Sequence, residues 1–154
     1  LNDCRAFTQA EAIFGAGKAK GTVVGLVLGT GIAGGVSVDG VLINNGDGQS
    51  GEFGHMPIPG TIITAHNLPI LKCGCGRFGC YETFGSGPGL ERLAKQLLGC
   101  DLTSHEIISD RTHQEISRIW EIWCDINAAL ILTIVTTIDP RTIVLGGGMS
   151  KISG

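Results

Sequence analysis

The sequence has no cluster of basic residues. Its 11 lysines and arginines are outnumbered by 14 aspartates and glutamates, for a net charge of −3 at pH 7. A nucleic-acid surface would need the opposite balance. Long apolar runs are also missing. The longest, residues 128–138, is too short to span a bilayer and contains Thr133, Thr136 and Thr137. No secretory signal pattern opens the chain. These absences predict a soluble, cytoplasmic chain with neither a nucleic-acid nor a membrane partner. Internal repeats and low-complexity tracts are absent too, which argues against a solenoid or a disordered linker.

Glycine, by contrast, is abundant. It accounts for 25 of 154 residues, roughly double its usual share. The glycines are not periodic and fall between apolar runs, so they read as tight turns and close backbone approaches and not as collagen. A hydrophobic content of 43% supports a real core. The length fits one domain or a fraction of a larger protein. Leu1 is not an initiator methionine, and Met149 to Gly154 stops where a helix should begin, so the chain reads as an internal piece. Six cysteines in such a composition do not suggest a disulfide scaffold.

Periodicity places a helix over residues 4–15, ended by Gly15-Ala16-Gly17. Thr22 to Leu28 is a β-branched apolar run and reads as a buried strand. Val36, Val38, Val41 and Ile43 flank Asp39-Gly40, a strong hairpin signal. Residues 44–80 are rich in glycine and proline with little periodicity, so they are either disordered or held by something. Helices are expected again over 89–98, 104–109 and about 113–138. The last carries a stripe of Ile116, Ile119, Trp120, Trp123, Ile126, Leu130, Ile134 and Ile138, suited to a core or a dimer interface. Asp139-Pro140 ends it, and a short strand over 142–145 runs into Gly146-Gly147-Gly148.

Cys73-Gly-Cys75-Gly-Arg-Phe-Gly-Cys80 packs three thiols into one tight loop. Zinc takes four soft or borderline ligands in a tetrahedron, and this loop supplies three. Gly74, Gly76 and Gly79 let the backbone fold back until the thiolates converge. The fourth ligand stays open: His66 is closer in sequence, His55 ends the phrase Gly51-Glu-Phe-Gly-His55, and spacing does not choose between them. His105 and His113 read as surface residues. Cys4, Cys100 and Cys124 are scattered and read as small core hydrophobes.

Gly29-Thr-Gly31-Ile-Ala-Gly34 satisfies the dinucleotide fingerprint, but a hairpin follows it where that fingerprint needs a helix. The Rossmann reading fails on this context. A strand–Gly-Thr-Gly–strand turn still offers successive N–H groups to an anion, with the Thr30 hydroxyl beside them. Val144-Leu-Gly-Gly-Gly148 is a second glycine turn after a strand.

The phrase ending at His55, joined to Cys-x-Cys-Gly-x-x-Gly-Cys-x-Glu82, resembles the ROK family of bacterial sugar kinases and repressors. Asn2-Asp3, Gly29-Thr30-Gly31 and Val144 to Gly148 follow in that family's order, so the resemblance runs from Asn2 to the chain end. It implies an α/β chain with the actin-like ATPase (ribonuclease H-like) fold, whose two domains close over sugar and ATP. Residues 1–154 would then be a partial kinase domain, mostly the C-terminal one. Residues 44–82 would be its zinc- and sugar-binding segment.

Carried over by position, the resemblance implies a role for each group. Asp3 would be the general base for the attacking hydroxyl, with Asn2 on a neighbouring hydroxyl. Glu52 and Glu82 would accept hydrogen bonds from the sugar. His55 would bind zinc through one ring nitrogen and the sugar through the other, completing a structural Zn²⁺ site with Cys73, Cys75 and Cys80. Gly29, Thr30 and Gly31 would hold ATP phosphate, Gly146 and Gly147 would lie near the adenosine, and Mg²⁺ would accompany ATP. The expected reaction is phosphorylation of a hexose or hexosamine at its 6-hydroxyl. Gly51 to Met56 with Leu68 to Gly76 is most similar to the branch acting on N-acetylglucosamine, while Thr83 to Gly89 leans toward the fructokinase and mannokinase branch. A glucokinase or a sugar-responsive repressor is the alternative. Two departures stand out. Ala33 replaces a usual glycine, tolerable if its φ is negative. The family's Asp-x-Gly-x-Thr phosphate loop is absent, so the piece alone should turn over little.

Overall fold

β1 (Thr22–Leu28) is central to its sheet because its apolar side chains are covered on both faces; Val24 and Leu26 have no exposed surface. The computed structural model describes residues 2–43 and 48–152, and the chain divides into two compact units. Residues 1–53 with 133–154 form the first, and residues 54–132 the second.

In the first unit, β2 (Ile32–Val38) pairs antiparallel with β1, β3 (Val41–Leu42) pairs antiparallel with β2, and β4 (Thr142–Gly146) runs parallel to β1. The order is β3-β2-β1-β4. The β2–β3 hairpin turns at Asp39 and Gly40, with φ of 50° and 79°, as a type I′ turn demands. α1 (Asp3–Phe14) lies on the sheet and explains two glycines inside strands: a methyl at Gly25 or Gly35 would strike Thr8. Phe7 sits against Gly146, Thr8 against Gly25, and Val23 against Gly17 just past the helix. The helix therefore runs antiparallel to β1, which brings its first residues to the C-terminal end of that strand. Asn2 caps it, its Oδ1 accepting from the Arg5 N–H at 2.9 Å.

The second unit is helical: α2 (Gly60–His66), α3 (Glu82–Gly85), α4 (Gly87–Leu98), α5 (Ser104–Ser109) and most of α6 (Gln114–Ile138). Leu90, Leu93, Ile107, Ile119, Ile126 and Leu130 are fully buried, each contributing about 1.5–3 kcal/mol. On α6 the expected stripe is buried at Ile119, Trp123, Ile126, Leu130 and Ile134, and Ile122 joins it. The stripe is core.

Several expectations need correction. The stretch 44–80 contains a helix, α2, which follows Pro59 and stops at Asn67 in the left-handed region. No residue of α2 is buried, so it has no apolar stripe for periodicity to find. Residues 44–47 of that stretch lie outside the described residues. α6 is long and apolar enough to cross a membrane by length and composition, with mean hydropathy 1.5, contrary to the reading from 128–138 alone. Cys100 and Cys124 are exposed and Cys4 half-buried, so none is a core residue. Cys100 follows the helix-ending Gly99, and Cys124 is on the outward side of α6 beside Asp125. After Gly147 the chain makes a 3-10 turn, Gly148–Lys151.

Candidate functional site

Backbone pairing builds the cysteine cluster. An antiparallel bridge joins Pro57 to Cys80, flanked by Ile58 N–H to Gly79 carbonyl at 2.8 Å and Tyr81 N–H to Met56 carbonyl at 2.9 Å. That ladder lays the residues after His55 beside the end of the cysteine loop. Within the loop, the Cys73 N–H donates to the Arg77 carbonyl at 2.7 Å, and Lys72 bridges to Phe78. Gly76 and Gly79 have φ of 89° and 71°, the left-handed geometry expected of them; Gly74 does not share it.

One donor atom from each of His55, Cys73, Cys75 and Cys80 lies within 4.8 Å of the other three. Tetrahedral zinc bonds of about 2.3 Å to sulfur and about 2.0 Å to nitrogen imply edges of about 3.8 Å and about 3.5 Å. Cys75 and Cys80 sulfurs are 3.7 Å apart, and Cys73 Sγ is 3.7 Å from His55 Nδ1. The donor set and its spacing fit zinc. Nδ1 faces the sulfurs, which leaves Nε2 for another partner. Burial, then the neighbouring thiols, pushes the Cys80 thiol up to about 12, so a cation is needed to hold its thiolate. Cys75 is lowered, mainly by a backbone hydrogen bond from Arg77. His66 is elsewhere, its Nε2 2.9 Å from Asp125 Oδ2 on α6.

Glu82 is half-buried at the start of α3, two residues past Cys80. α6 pins that turn: Trp123 Nε1 donates to the Ser86 carbonyl at 3.2 Å, and Asn127 Nδ2 to the Gly85 carbonyl at 3.2 Å. Sequence reasoning missed Asn127, a polar residue buried in the α6 stripe.

In the first unit, Glu52 is held on a ledge against β2. The Gly34 N–H donates to the Gly51 carbonyl at 2.7 Å, and Gly51, at φ 96°, packs too closely on Gly34 for any side chain. Asn2 Nδ2 lies 3.4 Å from Glu52 Oε1, so these two predicted residues meet. Asp3 is exposed in the first turn of α1, with no hydrogen bond to its carboxylate among the described residues. The helix cap falls to Asn2, which leaves the Asp3 carboxylate without a capping role. Arg5, which nothing in the sequence pattern marked, is buried beside Glu52 at 3.6 Å.

The two glycine turns are neighbours. Val27 pairs with Gly146 and Leu28 with Ile32, so Gly29-Thr30-Gly31 and Gly146-Gly147 both leave the C-terminal ends of β1 and β4. A methyl on Gly147, at φ 87°, would strike the Leu28 carbonyl. Ligands of open α/β sheets lie at this end of parallel strands. Ala33 is not among the positive-φ residues, so its substitution for glycine is unstrained.

A family model described as the ROK family matches residues 1–154. An N-acetylgalactosamine kinase of Shewanella sp. strain ANA-3 is 37% identical over 153 residues, 98% of this chain and 50% of its own. An N-acetyl-D-glucosamine kinase of Pectobacterium atrosepticum is 37% identical over 154 residues, 97% of this chain and 51% of its own. A ROK hexokinase from Thermus thermophilus superposes with a TM-score of 0.84 at 28% identity, over 97% of this chain and 50% of its own. A ROK family glucokinase from Streptomyces griseus, solved with glucose and AMPPNP, superposes at 0.79 with 28% identity, over 97% and 51%. The chain spans about half the length of the relatives it matches. Its fold is the actin-like ATPase fold of these kinases.

Proposed function

The chain belongs to the ROK family, and on that premise we propose that it forms the sugar-recognition part of an ATP-dependent kinase acting on the 6-hydroxyl of an N-acetylhexosamine, N-acetylglucosamine first. The Asp-x-Gly-x-Thr phosphate loop would lie in a part of the protein outside this chain, and the reaction would take place in the cytoplasm. One observation carries the reading: a zinc-fitting cluster of His55 and three cysteines begins three residues after a carboxylate, Glu52, held beside Asn2. Relatives that share the chain at 37% identity act on N-acetylgalactosamine and N-acetylglucosamine.

A sugar presents a ring of hydroxyls, best fixed by acceptor carboxylates and one imidazole donor. Glu52 and Glu82 supply the acceptors. Zinc on His55 Nδ1 would be structural, holding the ring's orientation and tautomer so that Nε2 carries the proton it donates. Asp3 takes the proton of the attacking hydroxyl, and its exposed carboxylate has no competing hydrogen bond among the described residues. Asn2 orients the neighbouring hydroxyl. Thr30, with the N–H groups of Gly29 and Gly31, meets the ATP phosphates, and Gly146 and Gly147 make room for the nucleoside. Mg²⁺ bound with ATP would offset phosphate charge; the chain's own part is positioning, as phosphoryl transfer requires.

A repressor of the same family would share the cluster and the sugar carboxylates. Asp3 and both glycine turns favour the kinase. The test is ADP release by the complete protein with N-acetylglucosamine, N-acetylgalactosamine, N-acetylmannosamine, glucose and fructose. Turnover fastest with an N-acetylhexosamine is expected. Tight sugar binding without ADP release from any of them would overturn the kinase reading in favour of the repressor. Asp3→Asn should abolish turnover while leaving sugar affinity within about twofold, and normal turnover in that variant would remove Asp3 from its role.

A further inference from the structure

We propose that Arg5 is the positioning residue of the Glu52 carboxylate, a buried guanidinium that dictates which of its two oxygens is offered to the sugar. The inference rests on the kinase reading above. The Arg5 side chain is only 8% exposed, against 34% for Glu52. Its Nε donates to the Ser50 carbonyl at 3.0 Å, which ties it to the backbone two residues before Glu52. Its Nη2 reaches to 3.6 Å from Glu52 Oε1, and Asn2 Nδ2 lies 3.4 Å from the same oxygen. Two donors therefore flank Oε1, while Oε2 has no partner among the described residues. Oε2 is the oxygen left to accept a sugar hydroxyl.

The ion pair is incomplete as it stands. Nη2 is buried and has no hydrogen-bond partner among the described residues. A buried donor left unmade is costly, and this one lies just beyond bonding distance of a carboxylate. The backbone beside Glu52 is tied to β2: the Gly34 N–H donates to the Gly51 carbonyl at 2.7 Å, and Gly51 packs directly on Gly34. The movable member is the half-exposed Glu52 side chain. Sugar covering Glu52 removes water from it and strengthens the pull of the guanidinium, so Oε1 closes on Nη2 as Oε2 engages the hydroxyl. A lysine could not serve: one ammonium cannot hold the Ser50 carbonyl and the Glu52 carboxylate in the planar fork that arginine provides.

The test is a double-substitution cycle in the complete kinase, Arg5→Lys, Glu52→Gln and both together, reading KM for sugar and for ATP separately. Arg5→Lys should raise the sugar KM roughly ten- to a hundredfold, as loss of a charge-assisted bond does, with the ATP KM changed less than about twofold. In the Glu52→Gln background the same change should have almost no further effect. Independent, multiplying losses, or equal losses for sugar and ATP, would mean that Arg5 only supports the fold and would overturn the proposal. A measurement on the unsubstituted protein covers the case in which Arg5→Lys does not fold. In ¹⁵N-arginine NMR, saturating N-acetylglucosamine should shift the Arg5 Nη signals, and an unmoved Arg5 signal would refute the closure. If the unsubstituted kinase neither binds nor phosphorylates any sugar, the functional reading itself falls, an outcome distinct from kinetics that are normal before substitution and additive after it.

Discussion

Replacing Cys80 by serine is the sharpest perturbation of the cluster. Cys80 is 1% exposed, and its sulfur lies 3.7 Å from that of Cys75. Its backbone forms the bridge to Pro57 that brings the His55 segment to the loop. Structural zinc sites are worth about 10–16 kcal/mol over four ligands, or about 3 kcal/mol per ligand, and 1.4 kcal/mol is tenfold in affinity. A serine hydroxyl is a poor zinc ligand, so Cys80→Ser should weaken zinc binding on the order of a hundredfold or more. The assay is competition with a chromophoric chelator, with elemental analysis of the dialysed protein as its stoichiometric control. One zinc per unsubstituted chain is expected, and less in the variant. Amide exchange over residues 71–81 should quicken in parallel, because the loop's few backbone bonds no longer have a metal behind them. No zinc in the unsubstituted protein, or equal affinity in the two, would refute the reasoning.

His55→Ala should lose zinc while His66→Ala keeps it, because His66 pairs with an exposed Asp125 and not with the thiols; the second change should cost no more than about 1 kcal/mol of stability by denaturant unfolding. Zinc affinity should rise with pH. The Cys80 thiol, pushed up to about 12, is protonated throughout the ordinary range in the metal-free cluster, and binding must release that proton. The slope should be at least tenfold per pH unit, and a flat profile between pH 6 and 8 would contradict it. Ile126→Ala, at a position with no exposed surface, should destabilise the chain by about 2–5 kcal/mol in a denaturant titration.

Local signals were legible where the physics was local. The Asp39-Gly40 turn has both φ values positive because few residue pairs tolerate them, and the pair announces itself in sequence. The failed Rossmann fingerprint was equally readable, since β2 begins at Ile32 where a helix was required. α2 was not legible, because a helix with no buried face has no apolar stripe. Ile122 and Cys124 both lie on α6, one buried and one exposed, and an apolar residue beside the main stripe carries no mark of which way its helix turns; Cys100 is exposed because it follows the helix-ending Gly99.

By itself the sequence determined that three thiols share one loop, that glycines bracket them, and that a carboxylate, a histidine and two glycine turns come in the family's order. Those are matters of spacing along the chain, and spacing is what a sequence records. Which histidine completes the cluster, and that Arg5 comes to lie beside Glu52, only the tertiary structure decided. Both depend on pairing between residues far apart in the chain, Pro57 with Cys80 and Gly34 with Gly51. Such contacts follow from how strands and loops pack, which residue order alone leaves open.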